Sequence, residues 1–213
     1  AGIIEEKGGV IIKNAKVTRL NTNDNSVKDV LFIDGNTAEQ HFVQGDYFLS
    51  TMPVKDLIAA MGGAVPVNVK ELSNGLQYRD FITVGLLLNK LKIRNETSAQ
   101  TLFGLVPDNW IYIQERDVKV GRLQIFNNWS PYMVSDLSKV WIGLEYFCNE
   151  GDELWSMSDS NFIQFAINEL HKIDIIDKQE VIDSTIIRMP KTYPAYFGAY
   201  SQFDTIRSYT DNF

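Results

Sequence analysis

The stretch Phe81-Ile82-Thr83-Val84-Gly85-Leu86-Leu87-Leu88 is apolar at nearly every position. A strand with one wet face alternates, so a run without alternation reads as a central strand covered on both faces. Working outward, Val140–Phe147 reads as a second long strand. Within it, alternation puts Glu145 on the same face as Trp141, Gly143 and Phe147. A carboxylate in such a run needs a hydrogen-bonding partner or an open cleft. Shorter strands are expected at Trp110–Gln114, Arg122–Phe126 and Val181–Arg188. Ser158–Ile173 is the clearest helix. Phe162, Phe165, Ala166, Leu170 and Ile173 recur at three- and four-residue spacing, with Ser158 or Ser160 as a cap and Asp159 at the positive end. Phe203–Tyr209 reads as a short final helix.

Upstream, residues 9–49 read as β structure: Val10–Ile12, Ala15–Leu20, Val30–Ile33 and His41–Val43, with turns at Asn21–Asn25 and Asp34-Gly35. Tyr47-Phe48-Leu49 is a further short strand. It leads through Ser50-Thr51-Met52-Pro53 into a helical stripe of Leu57, Ile58 and Met61, stopped by Gly62-Gly63. Thr51 is the expected cap. Residues 62–77, with Pro66 and several turn formers, mark a boundary. The expectation is an α+β protein: a mixed, largely antiparallel sheet with packed helices over residues 64–213, preceded by a β-meander, strand and helix over residues 1–63. The chain begins with Ala1 and stops just after a helical pattern, so both ends read as cut.

At 213 residues with 45% hydrophobic and 22% charged residues, the chain needs no covalent staple to hold a core. A net charge of −7, with 20 scattered Lys and Arg, argues against nucleic acid and against anionic lipid. No apolar run reaches membrane-spanning length and no signal peptide is present. With one cysteine, Cys148, there is no internal disulfide; a cytoplasmic protein fits best. Cys148 reads as a small buried hydrophobe, and with only His41 and His171 beside it in the inventory a zinc site is not expected.

No phosphate-cradling glycine loop, nucleophile elbow or His-Glu-x-x-His is present. Glu150, Asp152 and Glu153 flank Gly151 and read as a solvated turn, which leaves Glu145 as the carboxylate of interest. Two clusters, Phe126–Tyr132 and Tyr193–Phe197, mix flat rings with polar groups, as ligand pockets and ordinary aromatic corners both do.

The order of segments resembles the flavin amine-oxidase superfamily, and within it the protoporphyrinogen-oxidase-like and UDP-galactopyranose-mutase-like proteins. The resemblance is carried by Ala15–Leu20, Tyr47–Leu57, Trp110–Glu115, Arg122–Pro131, Leu144-Glu145-Tyr146 and Tyr193-Pro194-Ala195-Tyr196. It implies that the chain is an internal fragment, with part of the FAD-binding framework and the domain that roofs the flavin over a small-molecule substrate. The nucleotide-binding part would be supplied by the rest of a longer parent. The resemblance further implies that the backbone at Val17 meets the adenine edge of FAD. Arg122, Trp129, Tyr193 and Tyr196 are the candidates for lining the substrate pocket, chosen for polarity and aromaticity. The activity it implies for the parent is FAD-dependent oxidation. A sugar-nucleotide mutase and a non-catalytic binding module are the alternatives.

Overall fold

The structure, a computed structural model, describes residues 1–213 and divides into two compact units. The first comprises Ala1–Gln77 and Ala195–Phe213, the second Tyr78–Pro194. The division expected at residue 63 falls between two consecutive helices of the first unit.

The first unit opens with helix α1 (Gly2–Glu6), an element that the sequence reading did not anticipate. Strands β1 (Ala15–Asn23), β2 (Ser26–Asp34) and β3 (Gln40–Gln44) then form an antiparallel meander in the order β1-β2-β3. Asp24 and Asn25, both at positive φ, make the two-residue turn between β1 and β2. Helix α2 (Val54–Met61) follows Pro53, whose fixed φ suits a helix start, and stops at Gly62 with φ 66°. The helix is capped at Pro53 rather than at Thr51. The stretch expected to be turn-rich holds a helix, α3 (Val67–Asn74), which starts directly after Pro66. Pro66 among turn-forming residues signals irregular chain, but here it opens a helix, where a missing N–H costs nothing. The expected strands Val10–Ile12 and Tyr47–Leu49 are unpaired. Their apolar pattern is strand-like, yet a strand also needs a neighbour for its backbone groups.

The second unit is a five-stranded antiparallel sheet. Its strands are β4 (Tyr78–Leu88), β5 (Trp110–Tyr112), β6 (Arg122–Ile125), β7 (Val140–Cys148) and β8 (Val181–Pro194), in the order β5-β6-β7-β4-β8. As expected for Phe81–Leu88, β4 is an interior strand, paired on both sides, with β7 and β8. Short helices α4 (Phe126–Trp129) and α5 (Glu153–Ser156) sit in the connections, and Asp152 caps the latter by accepting from Trp155 N–H at 2.8 Å. The long helix α6 (Asp159–Lys172) covers one face of the sheet. That face is dry: Ile82, Val84, Leu86, Leu88, Leu123, Ile125, Ile142, Leu144 and Tyr146 are fully buried with Phe162, Ala166 and Leu170 of α6. The last helix, α7 (Phe203–Thr210), returns to the first unit.

Two buried carboxylates tie irregular segments to this frame. Glu169 of α6 accepts backbone N–H from Lys119 (2.6 Å) and Val120 (3.0 Å), fixing the approach to β6. Asp80 accepts from Glu150 and Lys191, both at 2.6 Å, fixing the turn after β7 and a bulge in β8. Tyr146 lies on the same dry face, and burial followed by the charge of Glu169 pushes its phenol well above the ordinary range.

Cys148 also points into this face, and burial, with the charges of Asp152 and Asp80, pushes its thiol up to about 11. The folded chain therefore holds a neutral thiol. A thiol reagent at pH 8 should leave folded chain unmodified and label it promptly in urea. Between the ordinary value of 9.0 and about 11, the unfolded thiol ionises while the folded one does not. The stability of the parent chain relative to Cys148→Ala should therefore fall as pH rises through that window. Unfolding curves across it check the sign.

Candidate functional site

The second face of the five-stranded sheet is of different character. Antiparallel register aligns Tyr112, Arg122, Glu145, Thr83 and Ile187 in one row across all five strands. The adjacent row on one side runs Trp110, Gln124, Gly143, Gly85 and Thr185; on the other lie Phe147, Phe81 and Met189. Because side chains alternate, all of these share the face opposite α6.

At its centre Glu145 and Arg122, 5% and 8% exposed, form a direct ion pair, and the side-chain amide of Gln124 donates to the same carboxylate. The guanidinium lies among rings, its carbon 4.7 Å from the Trp110 ring centre, 4.8 Å from Phe147 and 5.5 Å from Tyr193. Arg122 Nη2 also donates to the Tyr193 hydroxyl at 2.8 Å. Burial alone lowers the affinity of the guanidinium for its proton. The Tyr193 hydrogen bond and the Glu145 charge outweigh burial, and the net shift is upward. Arg122 Nε is buried and has no acceptor in the protein.

Local backbone features set this cluster. In β8, Met189 faces Phe81 while Tyr193 faces Arg79, so the intervening residues bulge outward, with Lys191 at φ 54°. Asp80 holds the bulge by its bond to Lys191 N–H. The bulge re-aims the end of β8 so that Tyr193 comes within about one ring width of Phe81 and Phe147, at 6.1 and 6.2 Å between centroids. Two glycines let rings lie down on the backbone. A Cβ at Gly143 would sit 2.7 Å from Phe126 Cζ, and one at Gly121 would sit 2.9 Å from Phe147 Cε2.

Of the residues singled out from sequence, Arg122 and Tyr193 meet directly. Trp129 stands at the rim, half exposed, 6.4 Å from Trp110 between ring centres. Tyr196 belongs to the other unit, where its ring meets Tyr200 edge-on at 4.9 Å. Val17 is in that unit too, on β1 opposite Phe32, beside a register shift. Trp110, Tyr112, Gln124 and Phe147 lie in stretches that carry the resemblance or the strand pattern, but none is a site candidate on sequence grounds. Alternation in Trp110-Ile111-Tyr112 signals a shared face, but only the pairing of β5 with β6 places that face over Arg122.

The one buried carboxylate of this face is taken by Arg122 and Gln124, and the single thiol is buried on the opposite face. His171 is bonded to the Ile176 carbonyl, 3.2 Å from Nδ1, and His41 lies in the meander, stacked on Phe32 at 5.2 Å.

No protein-family model and no curated protein sequence matches the chain. Solved structures do. The chain overlays reduced UDP-galactopyranose mutase over 98% of its length with a TM-score of 0.67 at 17% identity, spanning 43% of that chain. It overlays a protoporphyrinogen oxidase candidate from Exiguobacterium sp. 255-15 over 91% at TM-score 0.54 and 16% identity, spanning 38% of that chain. It overlays an oxidoreductase from Methanosarcina mazei over 91% at TM-score 0.55 and 12% identity, spanning 42%. The fold is thus the one that the sequence resemblance named, and the chain spans less than half the length of these structures.

Gly143→Ala should push the Phe126 ring off the sheet and cost roughly 1–3 kcal/mol. The readouts are the urea midpoint and the near-ultraviolet circular dichroism of the aromatic face; an unchanged spectrum would mean that the ring does not lie on Gly143.

Proposed function

We propose that this chain is the substrate-side part of an FAD-dependent oxidoreductase and is not catalytically competent alone. The observation that carries this reading is the face around Arg122 and Glu145, paved with rings and polarised by one compensated ion pair. Such a face orients a substrate for chemistry performed by something else, which is the division of labour in flavoenzymes. Arg122, Tyr193 and Trp129 would line the substrate side; Tyr196, in the first unit, is proposed separately as a substrate contact.

The first unit fits a role in holding FAD. Strand β1 is an edge strand, so along it alternate backbone groups face away from β2 and are open to a ligand. Val17 would offer such backbone contact to the adenine. When bound, the flavin would supply hydride or electron transfer on a C–N or C–C bond, while Arg122 and Tyr193 fix the orientation of the substrate and the surrounding rings exclude water.

A sugar-nucleotide mutase is the second reading, favoured by the extent of overlay on the mutase fold. There Arg122 and Tyr193 would meet a diphosphate. That role requires the diphosphate to compete with Glu145 for a guanidinium already paired, which places it behind the oxidoreductase. A binding module without catalysis is the third.

The phosphate-cradling glycine loop is missing from the sequence. The 213-residue chain should therefore bind FAD no better than about millimolar, because the pyrophosphate has no helix terminus and glycine turn to receive it. Flavin fluorescence titration and absorbance are the measurements. A yellow, tightly bound complex of the isolated chain would defeat the proposal. In a parent protein carrying that loop, substrate-dependent bleaching of the flavin supports the oxidoreductase. Ring contraction of UDP-galactose under reducing conditions supports the mutase.

A further inference from the structure

Where β4 ends, the chain leaves the sheet at Asn89 and shapes a pocket of about 360 Å³ within the second unit. Its floor is apolar: Leu91, Leu105 and Val140 are each buried. Lys90, Arg94 and Lys139 line it as well, and no Asp or Glu does. In a chain with 27 carboxylates against 20 Lys and Arg, a hollow with three cations and no acid runs against the trend. The walls are preformed. The Asn95 side chain gathers its loop by bonds to Thr97, Ala99 and Thr101, and the Asn95 N–H donates to the Gly104 carbonyl at 3.0 Å. At the lip Phe103 holds φ 52° and Gly104 φ 71°. A bulky residue thus takes a backbone conformation it rarely adopts, and its ring is left 73% exposed.

The cations are only partly answered within the chain. Lys90 reaches Glu180 at 3.4 Å. Lys139 donates to the neutral side-chain oxygen of Asn89 at 2.8 Å. The Asp136 carboxylate does not line the pocket and is occupied by the N–H and hydroxyl of Ser138, at 2.9 and 2.7 Å. Arg94 is exposed and has no acceptor in the chain. A guanidinium and an ammonium that line one hollow repel each other, and an anion received between them removes that repulsion. A bare inorganic anion would leave Leu137 and Phe103 wet, whereas an apolar group attached to the anion would cover them. The pocket stands apart from the substrate face. It sits where Leu88, Val140 and Val181 are paired, five residues along β4 from Thr83 in the row of Arg122 and Glu145, which is roughly 17 Å at the rise of a strand.

We propose that this pocket is a second ligand site, which takes a small organic anion: a carboxylate or phosphate monoester carrying a short apolar group. Arg94 and Lys139 receive the anionic head, and Phe103 and Leu137 cover the apolar group. The inference does not rest on the flavin reading, because the site lies wholly in the second unit and uses none of the residues assigned to the substrate face.

Calorimetry and saturation-transfer NMR on the 213-residue chain would compare hexanoate, hexyl phosphate, hexylammonium and inorganic phosphate. Hexanoate and hexyl phosphate should bind saturably, the tighter of the two identifying the head group. Hexylammonium and inorganic phosphate should each bind at least about tenfold more weakly. Arg94→Gln and Lys139→Gln should each weaken the two alkyl anions about threefold to tenfold. Phe103→Gly, which removes the ring at a φ that glycine accepts, should weaken them too. Arg116→Gln, an equal change of charge outside the pocket, should leave them unchanged. Absence of saturable binding by both alkyl anions, equal binding of hexylammonium or inorganic phosphate, indifference to both Arg94→Gln and Lys139→Gln, or an equal loss in Arg116→Gln would overturn the proposal.

Discussion

A carboxylate set mid-strand in an antiparallel sheet cannot stay charged in dry surroundings unless a cation is brought to it, and Glu145 imposes that requirement on the second unit. The neighbouring strand answers in register: Arg122 stands directly opposite Glu145, and Gln124, two residues on, reaches the remaining oxygen. A buried pair of this kind contributes little net stability by itself. Its value here is organisational, since it fixes the pairing of β6 with β7 and anchors the guanidinium about which Trp110, Phe147 and Tyr193 gather. On the other side of the same strands, Leu144 and Tyr146 join the fully apolar layer beneath α6. One sheet thus has an apolar face beneath α6 and an opposite face of rings gathered around an ion pair.

That separation explains why the irregular features cluster where they do. The bulge in β8 interrupts hydrogen bonding, and Asp80 compensates it with a carboxylate held against two backbone amides. What the interruption gains is the placement of Tyr193 beside Arg122. In the first unit, edge strand β1 and the unpaired apolar segments Val10–Ile12 and Tyr47–Leu49 leave backbone and side chains open.

Much of the frame was legible in the residues. The unalternating Phe81–Leu88 run announced a central strand, and the three- and four-residue spacing in Phe162–Ile173 announced the helix against it. These signals come from burial, which composition records directly. Helix α3 was obscured because Pro66 and its neighbours carry turn residues, although a proline just before a helix is compatible with one. The site was half legible. Arg122 and Tyr193 drew attention by polarity and aromaticity, but they are 71 residues apart and meet only because of a bulge. Trp110 and Tyr112 stayed hidden for a related reason: their importance depends on which strand β5 pairs with, and strand pairing is a long-range property that no local pattern encodes.

The most direct measurement is a double-mutant cycle across the central pair, using Arg122→Met, Glu145→Leu and the double variant in equilibrium urea unfolding. If the buried ion pair organises the face, each single substitution strands a charge and costs about 3–5 kcal/mol, while the double variant loses less than either. Losses that simply add would contradict the account, because they would mean that Arg122 and Glu145 do not depend on each other.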